Sequence, residues 1–359
     1  MIDFLIIGGG IAGVSAAARL SELGSVILLE GEDALAYHAS GRSAALFEQN
    51  YGKPATVALN KASFDFHVAA KVLSPRGLML VGRDDQADSF AADQRDMQLE
   101  QISVDEAKAK FPILRSDVIS NAAFDPGAWD IDTDRLLQTF ARSARANGGT
   151  FVTKAQVTAI RRTQNGWALT TKDQCYEARV LVNAAGAWVD VIAEMAGIFP
   201  IGFQPLRRSM ARIPAPAGHD TSGWPMVFGT GESWYTKPDA GALIVSPGEE
   251  DPVVPHDAYA DDMVLAQGLA RYEEHVTEPV TRLLSSWAGL RTFAPDRTLV
   301  LGPDPRDPSF VWCAGQGGYG VQSSPAASQL LADLISGAAS DIPADAIAGL
   351  SPNRFTNRT

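Results

Sequence analysis

The chain has 359 residues, of which 46% are hydrophobic and 20% charged, and its formal net charge is -12 at pH 7. This composition is typical of a globular enzyme large enough for two domains, and the acidic balance, without any run of Lys or Arg, argues against nucleic acid or an anionic membrane as the main partner. No apolar run reaches the roughly 20 residues of a membrane-spanning helix, so stable membrane insertion is not expected, and a strand expected to begin at residue 2 favours a cytoplasmic location.

The N-terminal 30 residues carry the strongest pattern in the chain. An apolar stretch over residues 2–7 runs into Gly8, Gly10 and Gly13, and a second apolar stretch ends at Glu30. In the predicted strand, turn, helix and strand, the first glycine permits the tight turn, the second admits a pyrophosphate, and the third lets the helix pack on the strand. Glu30 lies at the distance where a carboxylate accepts hydrogen bonds from ribose hydroxyls. We therefore predict a dinucleotide site at the N-terminus of this helix.

A loop, a helix and a ribbon are predicted next. Residues 37–45 are too small and polar for the core, and Gly41 and Arg42 are candidates for wrapping a phosphate or a ribityl chain. Asp132 is expected to cap a helix that runs to about Ala146. A three-stranded antiparallel ribbon is predicted over residues 150–154, 157–162 and 167–171, with Asn165 and Gly166 in its last hairpin.

The second half of the chain predicts two further glycine-rich turns and a separate sheet. Residues 178–190 indicate a strand, a glycine turn and a helix, and residues 315–320 open a helix that runs to about residue 335. Only the N-terminal turn has the complete fingerprint, which favours one large cofactor contacted from several sides, FAD, over a reductase with two nucleotides. Short strands predict an antiparallel sheet in a substrate domain over residues 209–213, 225–229, 233–237 and 242–245, and two further strands are predicted over 298–302 and 310–314.

The cysteines and histidines predict neither a disulfide nor a metal site. Cys175 and Cys313 lie far apart in apolar runs and are expected to be small core residues. The five histidines show no ligand spacing, so no metal is expected.

Seven segments form a specific set over nearly the whole chain: residues 37–45, 130–134, 181–188, 207–209, 235–241, 287–291 and 316–322. Together they resemble the FAD-dependent D-amino-acid oxidase superfamily, which also contains glycine oxidase, sarcosine oxidase and the D-amino-acid dehydrogenases. The greatest similarity is to the catabolic D-arginine dehydrogenase branch. The resemblance implies an α/β fold: a Rossmann-like FAD-binding domain over residues 1–75, 128–203 and 288–359, and an α+β substrate-binding domain with an antiparallel sheet over 76–127 and 204–287.

The implied chemistry removes a hydride from the carbon that bears the amine and delivers it to flavin N5, leaving an imine that water hydrolyses to a 2-oxo acid and ammonia. A planar guanidinium binds the substrate carboxylate bidentately and orients the Cα–H bond. Arg291 matches the carboxylate-binding arginine of the family, and Arg208 and Tyr235 are implied as supporting ligands. Tyr51 matches a tyrosine that encloses the substrate, and the carbonyl of Gly318 is implied to accept from the substrate amine.

The side-chain end of the predicted substrate pocket is apolar. Leu78 stands where the D-arginine branch carries an acid, and Leu46 stands where it carries a histidine; Met226 and Phe228 are expected to line the same pocket. A buried guanidinium without its carboxylate costs several kcal/mol, so neutral or apolar D-amino acids are expected in preference to D-Arg and D-Lys. Glu48, in the same loop as Leu46, is the alternative source of charge for basic substrates.

The resemblance also implies a set of FAD contacts without a covalent bond. Ala314 stands where the sarcosine-oxidase branch tethers FAD through a cysteine, and Cys313 falls one position early, on the opposite side of the strand. The implied contacts are Gly8, Gly10, Ile11, Ala12, Gly13, Glu30, Gly31, Ser40, Gly41, Arg42, Ser43, Ala44, Ala45, Val157, Ala184, Ala185, Gly186, Trp188, Gly315, Gly317, Gly318, Tyr319, Gly320, Val321 and Gln322.

Two alternatives to a D-amino-acid dehydrogenase stay open at this point. One is an enzyme for N-methyl or cyclic secondary amino acids, such as sarcosine or proline derivatives, because the same arginine and flavin serve both. The other is a noncatalytic FAD-binding subunit of a hetero-oligomer, which would not need a carboxylate clamp. A quinone-like compound or O2 is expected as the electron acceptor, and an oligomer is left open.

Overall fold

A computed structural model describes residues 1–356 and confirms a mixed α/β architecture built on three sheets. In that part of the chain the strands are β1 (Ile2–Ile7), β2 (Val26–Leu29), β3 (Leu46–Phe47), β4 (Leu73–Pro75), β5 (Leu78–Gly82), β6 (Glu100–Ile102), β7 (Asn121–Asp125), β8 (Trp129–Ile131), β9 (Thr150–Val152), β10 (Val157–Thr163), β11 (Gly166–Thr171), β12 (Cys175–Asn183), β13 (Gln204–Pro214), β14 (Met226–Gly229), β15 (Tyr235–Asp239), β16 (Ala242–Ser246), β17 (Asp251–Pro252), β18 (Ser285–Phe293), β19 (Val300–Pro303) and β20 (Phe310–Ala314).

The α-helices in the same residues are α1 (Ile11–Leu20), α2 (Pro54–Ala70), α3 (Ala87–Asp96), α4 (Val104–Lys110), α5 (Thr133–Ala146), α6 (Val189–Met195), α7 (Asp262–His275), α8 (Gly320–Ser336) and α9 (Ala344–Leu350). Short 3-10 turns cover Asp84–Gln86, Gly186–Trp188, Thr230–Glu232 and Pro352–Phe355. Within residues 1–356, no helix is long and apolar enough to cross a membrane.

The first sheet has β1 at its centre, parallel to β2 on one side and to β12 on the other. β9 extends the parallel order beyond β2, and β20 extends it beyond β12. Successive β1 residues point to opposite faces: Phe4 and Ile6 pack into one core with α1, α5 and α8, whereas Leu5 and Ile7 pack into a second core. Because both faces are covered, the strand is apolar from Phe4 to Ile7, and its carboxyl end opens onto the glycine turn.

The second sheet is predominantly antiparallel, with the strand order β17, β13, β16, β15, β14, β5, β7 and β6. β18 pairs with β13 over nine residues, from Gln204 opposite Phe293 to Arg212 opposite Ser285. β5 and β14 form a parallel pair within this sheet. A small third sheet of β3, β8 and β4 lies where the chain passes between the two larger sheets.

Several predicted elements have the expected position. The α5 helix begins after Asp132, whose carboxylate accepts from Arg135 N at 2.9 Å. The four strands predicted between residues 209 and 245 are present as β13 to β16, and the strand over 310–314 is β20. The helix after the C-terminal glycine turn ends at Ser336.

Other predictions were wrong. β9 is not part of an antiparallel ribbon, because it pairs in parallel with β2; the ribbon is β10, β11 and β12. Gly166 is already paired with Thr163, so the hairpin turn is residues 164–165. Cys175 is exposed at the start of β12, whereas Cys313 is buried as expected.

The division into two domains, with a limit at residue 288, stays a prediction. Residue 288 lies inside β18, all of which pairs with β13, and β18 ends at Phe293.

Candidate active site and cofactor groove

A cavity of about 450 Å³ lies at the carboxyl ends of β1, β2 and β12, beside the N-terminus of α1. The cavity reaches Gly289 and Leu290 of β18, and Arg291 is the next residue of that strand. The groove therefore connects the glycine turn to the second sheet. Of the predicted cofactor contacts, those that line it are Gly8, Gly10, Glu30, Gly31, Ser40, Arg42, Val157, Ala184, Ala185, Gly186 and Trp188.

The glycine turn has the close contacts that the fingerprint requires. Gly8 has φ +109°, and a Cβ at this position would overlap the carbonyl of Ala184. A Cβ on Gly13 would overlap the carbonyl oxygen of Gly8. Gly10 is the N-cap residue of α1 and offers no side chain; Ile11 N donates to Ser40 Oγ, and the N–H groups of Ala12 and Gly13 in the same turn are left for an anion. The residues here therefore fit a diphosphate.

Glu30 lines the groove and holds the turn in place. Its Oε2 accepts from Gly9 N at 2.6 Å and its Oε1 accepts from Glu32 N at 2.9 Å. Each carboxylate oxygen has a further lone pair, so the side chain can accept ribose hydroxyls in addition. Ser40 Oγ accepts from Ile11 N at 2.9 Å and joins the loop over residues 37–45 to the same helix.

All three nitrogens of the Arg42 guanidinium donate hydrogen bonds to protein groups. Its Nη1 donates to the carbonyls of Ala258 (2.8 Å) and Ala288 (3.0 Å), and its Nη2 donates to Asp257 Oδ1 at 2.5 Å. Its Nε donates to Tyr37 O at 3.2 Å. His256 and Ala258 line the groove, so Arg42 fastens this segment against the groove. The predicted phosphate or ribityl contact gains no support, because these partners already use the guanidinium.

This arrangement predicts a role for the Arg42 and Asp257 ion pair in cofactor retention. Arg42→Gln and Asp257→Asn are each expected to raise the Kd for FAD about tenfold, since a hydrogen bond to a charged group contributes roughly 1.5–3 kcal/mol. Titration of apoprotein with FAD, followed by flavin fluorescence, measures it. Arg115→Gln, in an exposed pair with Asp117, is the matched control. Equal FAD affinity in all three variants and the wild type would contradict the role.

The remaining predicted cofactor contacts lie around the groove. Ala44 packs against the apolar cluster of the second sheet, and Ala45 packs against the core of the first. Gly317 N donates to Thr292 O at 2.9 Å, which places the C-terminal turn beside the end of β18. Cys313 is buried, with its Sγ 3.8 Å from Ala12 O. The predicted cofactor contacts that do not line the groove are Ile11, Ala12, Gly13, Gly41, Ser43, Ala44, Ala45, Gly315, Gly317, Gly318, Tyr319, Gly320, Val321 and Gln322.

Strand register places the predicted substrate residues on one face of the second sheet. Arg291 is opposite Leu206, and Arg208 is two residues further along β13, so the two guanidinium groups share a face. Tyr235 is opposite Phe228 in the pair of β15 and β14, and β16 lies between β15 and β13. A period of two along each strand therefore gathers side chains as far apart in sequence as Arg208 and Arg291, which are 83 positions apart.

Arg291, Tyr51 and Gly318 meet at the edge of this face. A Cβ built on Gly318 would be 3.3 Å from Arg291 Nη1 and 3.5 Å from Tyr51 Oη. Tyr51 packs on Tyr319, with ring centroids 5.0 Å apart. Burial, followed by the charge of Glu232, raises the pKa of the Tyr51 phenol, so its hydroxyl keeps its proton. A cation, a neutral hydroxyl and a glycine backbone are thus available to one small ligand.

Arg208 is the most deeply buried charge at the site. Its side chain is only 3% exposed, and its Nε and Nη1 have no hydrogen-bond partner. The carboxylates of Glu232 and Glu250 each lie 3.5 Å from it. Sequence reasoning missed both acids, because nothing local in residues 230–250 indicates that they face an arginine from β13.

Tyr235 is buried beside Arg208, with the guanidinium 5.9 Å from its ring centroid. Its hydroxyl donates to Met210 Sδ at 3.2 Å. A thioether is a weak acceptor, so a carboxylate oxygen would be a stronger partner for this hydroxyl. The position of Tyr235 is therefore compatible with its predicted role, although the hydroxyl has another partner.

Lys237 was also missed. Its Nζ donates to Ala44 O and to Asp130 Oδ1, both at 2.6 Å, and Arg76 pairs with the same aspartate. This buried network holds the loop over residues 37–45 against the second sheet. The motif over residues 235–241 contains Lys237, but only the tertiary contact shows its partner.

Four residues predicted for the side-chain pocket lie together in the structure. Leu78 and Phe228 belong to one apolar cluster with Tyr235, and Met226 and Leu46 pack against it. Glu48 is only 3% exposed; its Oε1 accepts from Asn50 N at 2.8 Å, and its Oε2 has no partner. Burial, with a smaller contribution from Asp125, raises the pKa of the Glu48 carboxyl to about 7.

Glu48 therefore predicts pH-dependent stability. The folded state keeps a proton that the unfolded chain releases near its ordinary value of 4.5, so stability falls as the pH rises from about 5 through 7. Glu48→Gln has no acidic proton at this position and is expected to recover up to about 3 kcal/mol of the free energy of unfolding that the wild type loses as the pH rises. Its Tm should therefore exceed that of the wild type by more at about pH 8 than at pH 5. Thermal unfolding of the holoprotein at both pH values measures it, with exposed Glu22→Gln as control. An equal Tm change at both pH values would refute the interpretation.

A glycine turn of the dinucleotide-binding type beside Glu30, joined by one groove to the sheet that bears Arg208 and Arg291, fits a flavin-dependent oxidoreductase. A family model described as FAD dependent oxidoreductase (DAO) matches residues 3–334, and the chain belongs to this family.

Relatives and solved structures agree with this family. The FAD-dependent oxidoreductase domain-containing protein 1 of Bos taurus is 24% identical over 93% of this chain and 81% of its own length. The crystal structure of L-proline dehydrogenase from P. horikoshii has a TM-score of 0.85 at 22% identity and covers 98% of this chain and 97% of its own. Glycine oxidase from Geobacillus kaustophilus has a TM-score of 0.85 at 20% identity, covering 100% and 99%. The fold is thus that of the family throughout.

Proposed function

We propose that the protein oxidises the amine of D-amino acids with neutral or apolar side chains, giving an imine that hydrolyses to a 2-oxo acid and ammonia. The observation that carries this proposal is the meeting of Arg291, Tyr51 and Gly318 at the edge of an apolar sheet face. When bound, FAD supplies the oxidation by accepting a hydride from the substrate Cα. The residues proposed to hold it are those of the glycine turn, Glu30, the loop over 37–45 and the two later glycine turns.

Arg291 is proposed to bind the substrate carboxylate through two parallel hydrogen bonds, and Arg208 is proposed as a supporting ligand of the same carboxylate. Burial opposes the charge of Arg291, but the carboxylates of Glu232 and Glu250 raise the pKa of its guanidinium, so the cation is retained. The carbonyl of Gly318 is proposed to accept from the substrate amine. Two fixed contacts set the direction of the Cα–H bond, and this orientation lowers the barrier.

The amine must lose a proton before its carbon can lose a hydride, because the nitrogen lone pair stabilises the developing positive charge. Positive charge on Arg291 and Arg208 disfavours an ammonium ion nearby and assists this loss. Solvent is proposed to accept the proton. Tyr51 and Tyr319 are proposed to cover the bound substrate and limit the entry of further water.

The side chain of the substrate is proposed to lie against Leu46, Leu78, Met226 and Phe228. Such a surface favours neutral and apolar groups, each buried CH2 contributing about 0.8 kcal/mol. This preference departs from the D-arginine dehydrogenase branch. Glu48 is the residue that would reverse it: if basic D-amino acids prove to be good substrates, Glu48→Ala should selectively lose them.

Anaerobic reduction of the holoenzyme tests the proposal directly. The visible flavin absorption is followed after addition of D- and L-amino acids of matched size, D-Arg, sarcosine and proline, and then on admission of air. Bleaching by apolar D-amino acids, with slow recovery in air, is the expected result and favours a dehydrogenase that passes electrons to a quinone-like acceptor over an oxidase. Bleaching by secondary amines alone would support the alternative enzyme, and no bleaching would support a noncatalytic subunit. If D-Arg is best and Glu48→Ala changes nothing, the pocket assignment is wrong.

A further inference from the structure

The carboxylate of Glu232 lies between the two guanidinium groups of the candidate site. Its Oε2 is 3.5 Å from Arg208 Nη1 and 4.0 Å from Arg291 Nη1. Both distances are too long for hydrogen bonds, so the acid neutralises charge without satisfying the donors. Arg208 Nε and Nη1 have no hydrogen-bond partner. Burying a charged donor without a partner is unfavourable, so this pair favours an anion that fits it better.

The side chain of Glu232 lies where it can move away from the two arginines. Its side chain is 37% exposed, in contrast to the buried arginine that it contacts. The backbone around it is anchored independently: Gly231 N donates to Asp93 Oδ2 at 2.7 Å, and Gly229 N donates to Trp234 O at 3.0 Å. Glu232 has φ +51°, a left-handed conformation that is strained for a non-glycine residue. The side chain can therefore turn to solvent while the segment stays in place.

The neighbouring acids do not share this position. Glu250 Oε1 lies 2.8 Å from Arg297 Nη2 as well as 3.5 Å from Arg208 Nη2, so a second cation holds it. Glu249 Oε1 accepts from Ser209 N at 2.6 Å. Within residues 1–356, no carboxylate other than that of Glu232 lies within 4.0 Å of Arg291. Departure of Glu232 leaves Arg208 with one counter-ion and Arg291 with none.

On the basis of the proposed function, we propose that Glu232 is a resident counter-ion that the substrate carboxylate displaces from Arg291 and Arg208. A monocarboxylate then makes the hydrogen bonds that Glu232 cannot reach, and the freed side chain turns to solvent. Because every carboxylate must first displace this acid, Glu232 sets the affinity of the site. Glu232 acts through the arginines and is a positioning residue rather than a catalytic one.

Binding of acetate, a monocarboxylate without an amine, tests the proposal. Acetate is titrated into holoenzyme while the visible flavin spectrum is followed, and the dependence of anaerobic flavin reduction on amino-acid concentration is measured separately. Glu232→Gln is expected to lower the Kd for acetate about tenfold. Glu232→Asp, which keeps the charge on a shorter side chain, should give an intermediate Kd. The control is Asp239→Asn, whose carboxylate pairs with Arg212 at 2.8 Å on the same sheet, and it should bind acetate as the wild type does.

Two results would overturn the proposal. Acetate binding that is unchanged or weaker in Glu232→Gln would show that the acid does not compete with a carboxylate. Weaker binding of an amino acid, with acetate binding unchanged, would show that Glu232 holds the substrate ammonium. Failure of the proposed function has a separate signature, because Arg291→Met would then bind acetate as well as the wild type does, whatever Glu232 does.

Discussion

Arg291→Met is expected to lower kcat/KM for amino acids by roughly 10²–10⁴-fold, because removing one member of a buried charge pair costs about 3–5 kcal/mol. The variant loses both the charge that attracts the substrate carboxylate and the planar fork that orients the substrate. The loss should appear in KM and in the rate of anaerobic flavin reduction, since orientation acts on the chemical step. Arg291→Lys should recover only part of the activity, because an ammonium cannot form the bidentate contact.

Arg207→Met is the matched control for this experiment. Arg207 is the neighbour of Arg208 on β13, but its side chain points to the other face and pairs with Asp251 at 2.7 Å. Its replacement should leave kcat/KM within about twofold, because its side chain does not face the candidate site and its partner Asp251 is half exposed. Equal activity losses at Arg207 and Arg291, or wild-type activity in Arg291→Met, would contradict the carboxylate assignment.

Gly13→Ala is expected to abolish stable FAD binding, with more than about a hundredfold rise in Kd and a lower Tm. Its Cβ would overlap the carbonyl oxygen of Gly8 in the first turn of α1, where the helix packs against the end of β1. Relief requires the helix to move away from the turn that is to hold the diphosphate, and overpacking a tight contact typically costs 1–3 kcal/mol even before the site is lost. Flavin content after gel filtration and titration of the apoprotein measure both effects.

Gly223→Ala serves as the control, because an added Cβ at Gly223 meets nothing within 4 Å and the residue does not have a positive φ. This variant should purify with a full complement of FAD. A Gly13→Ala protein that retains flavin at wild-type affinity would show that the helix can shift without disturbing the groove. That result would remove the steric reason for glycine at this position.

Much of the local structure could be predicted. The glycine spacing and Glu30 indicated a dinucleotide turn, Asp132 indicated the start of α5, and alternation indicated β13 to β16. These signals depend on residues a few positions apart, so a single segment contains them. The family followed from the same motifs, since each preserves a short stretch of sequence.

Partner choice between distant segments was harder to predict. β9 was assigned to a ribbon because its sequence alternates, but it extends the parallel sheet beside β2. Arg42 was assigned to the cofactor, but it is fastened to Asp257, 215 positions later. Any strand of suitable length satisfies the local pattern, and only packing of the whole chain selects its neighbour.

The sequence by itself determined the cofactor class, the family, the glycine turn and the residue types of the candidate site, because these reside in short motifs with a local physical requirement. The tertiary structure decided which of those residues meet. The pairing of β13 with β18 places Arg208 and Arg291 on one face, the Gly318 turn brings Tyr51 to them, and the segment around Glu232 inserts a carboxylate between them. Charge interactions depend on distances of a few ångströms, and strand register sets those distances.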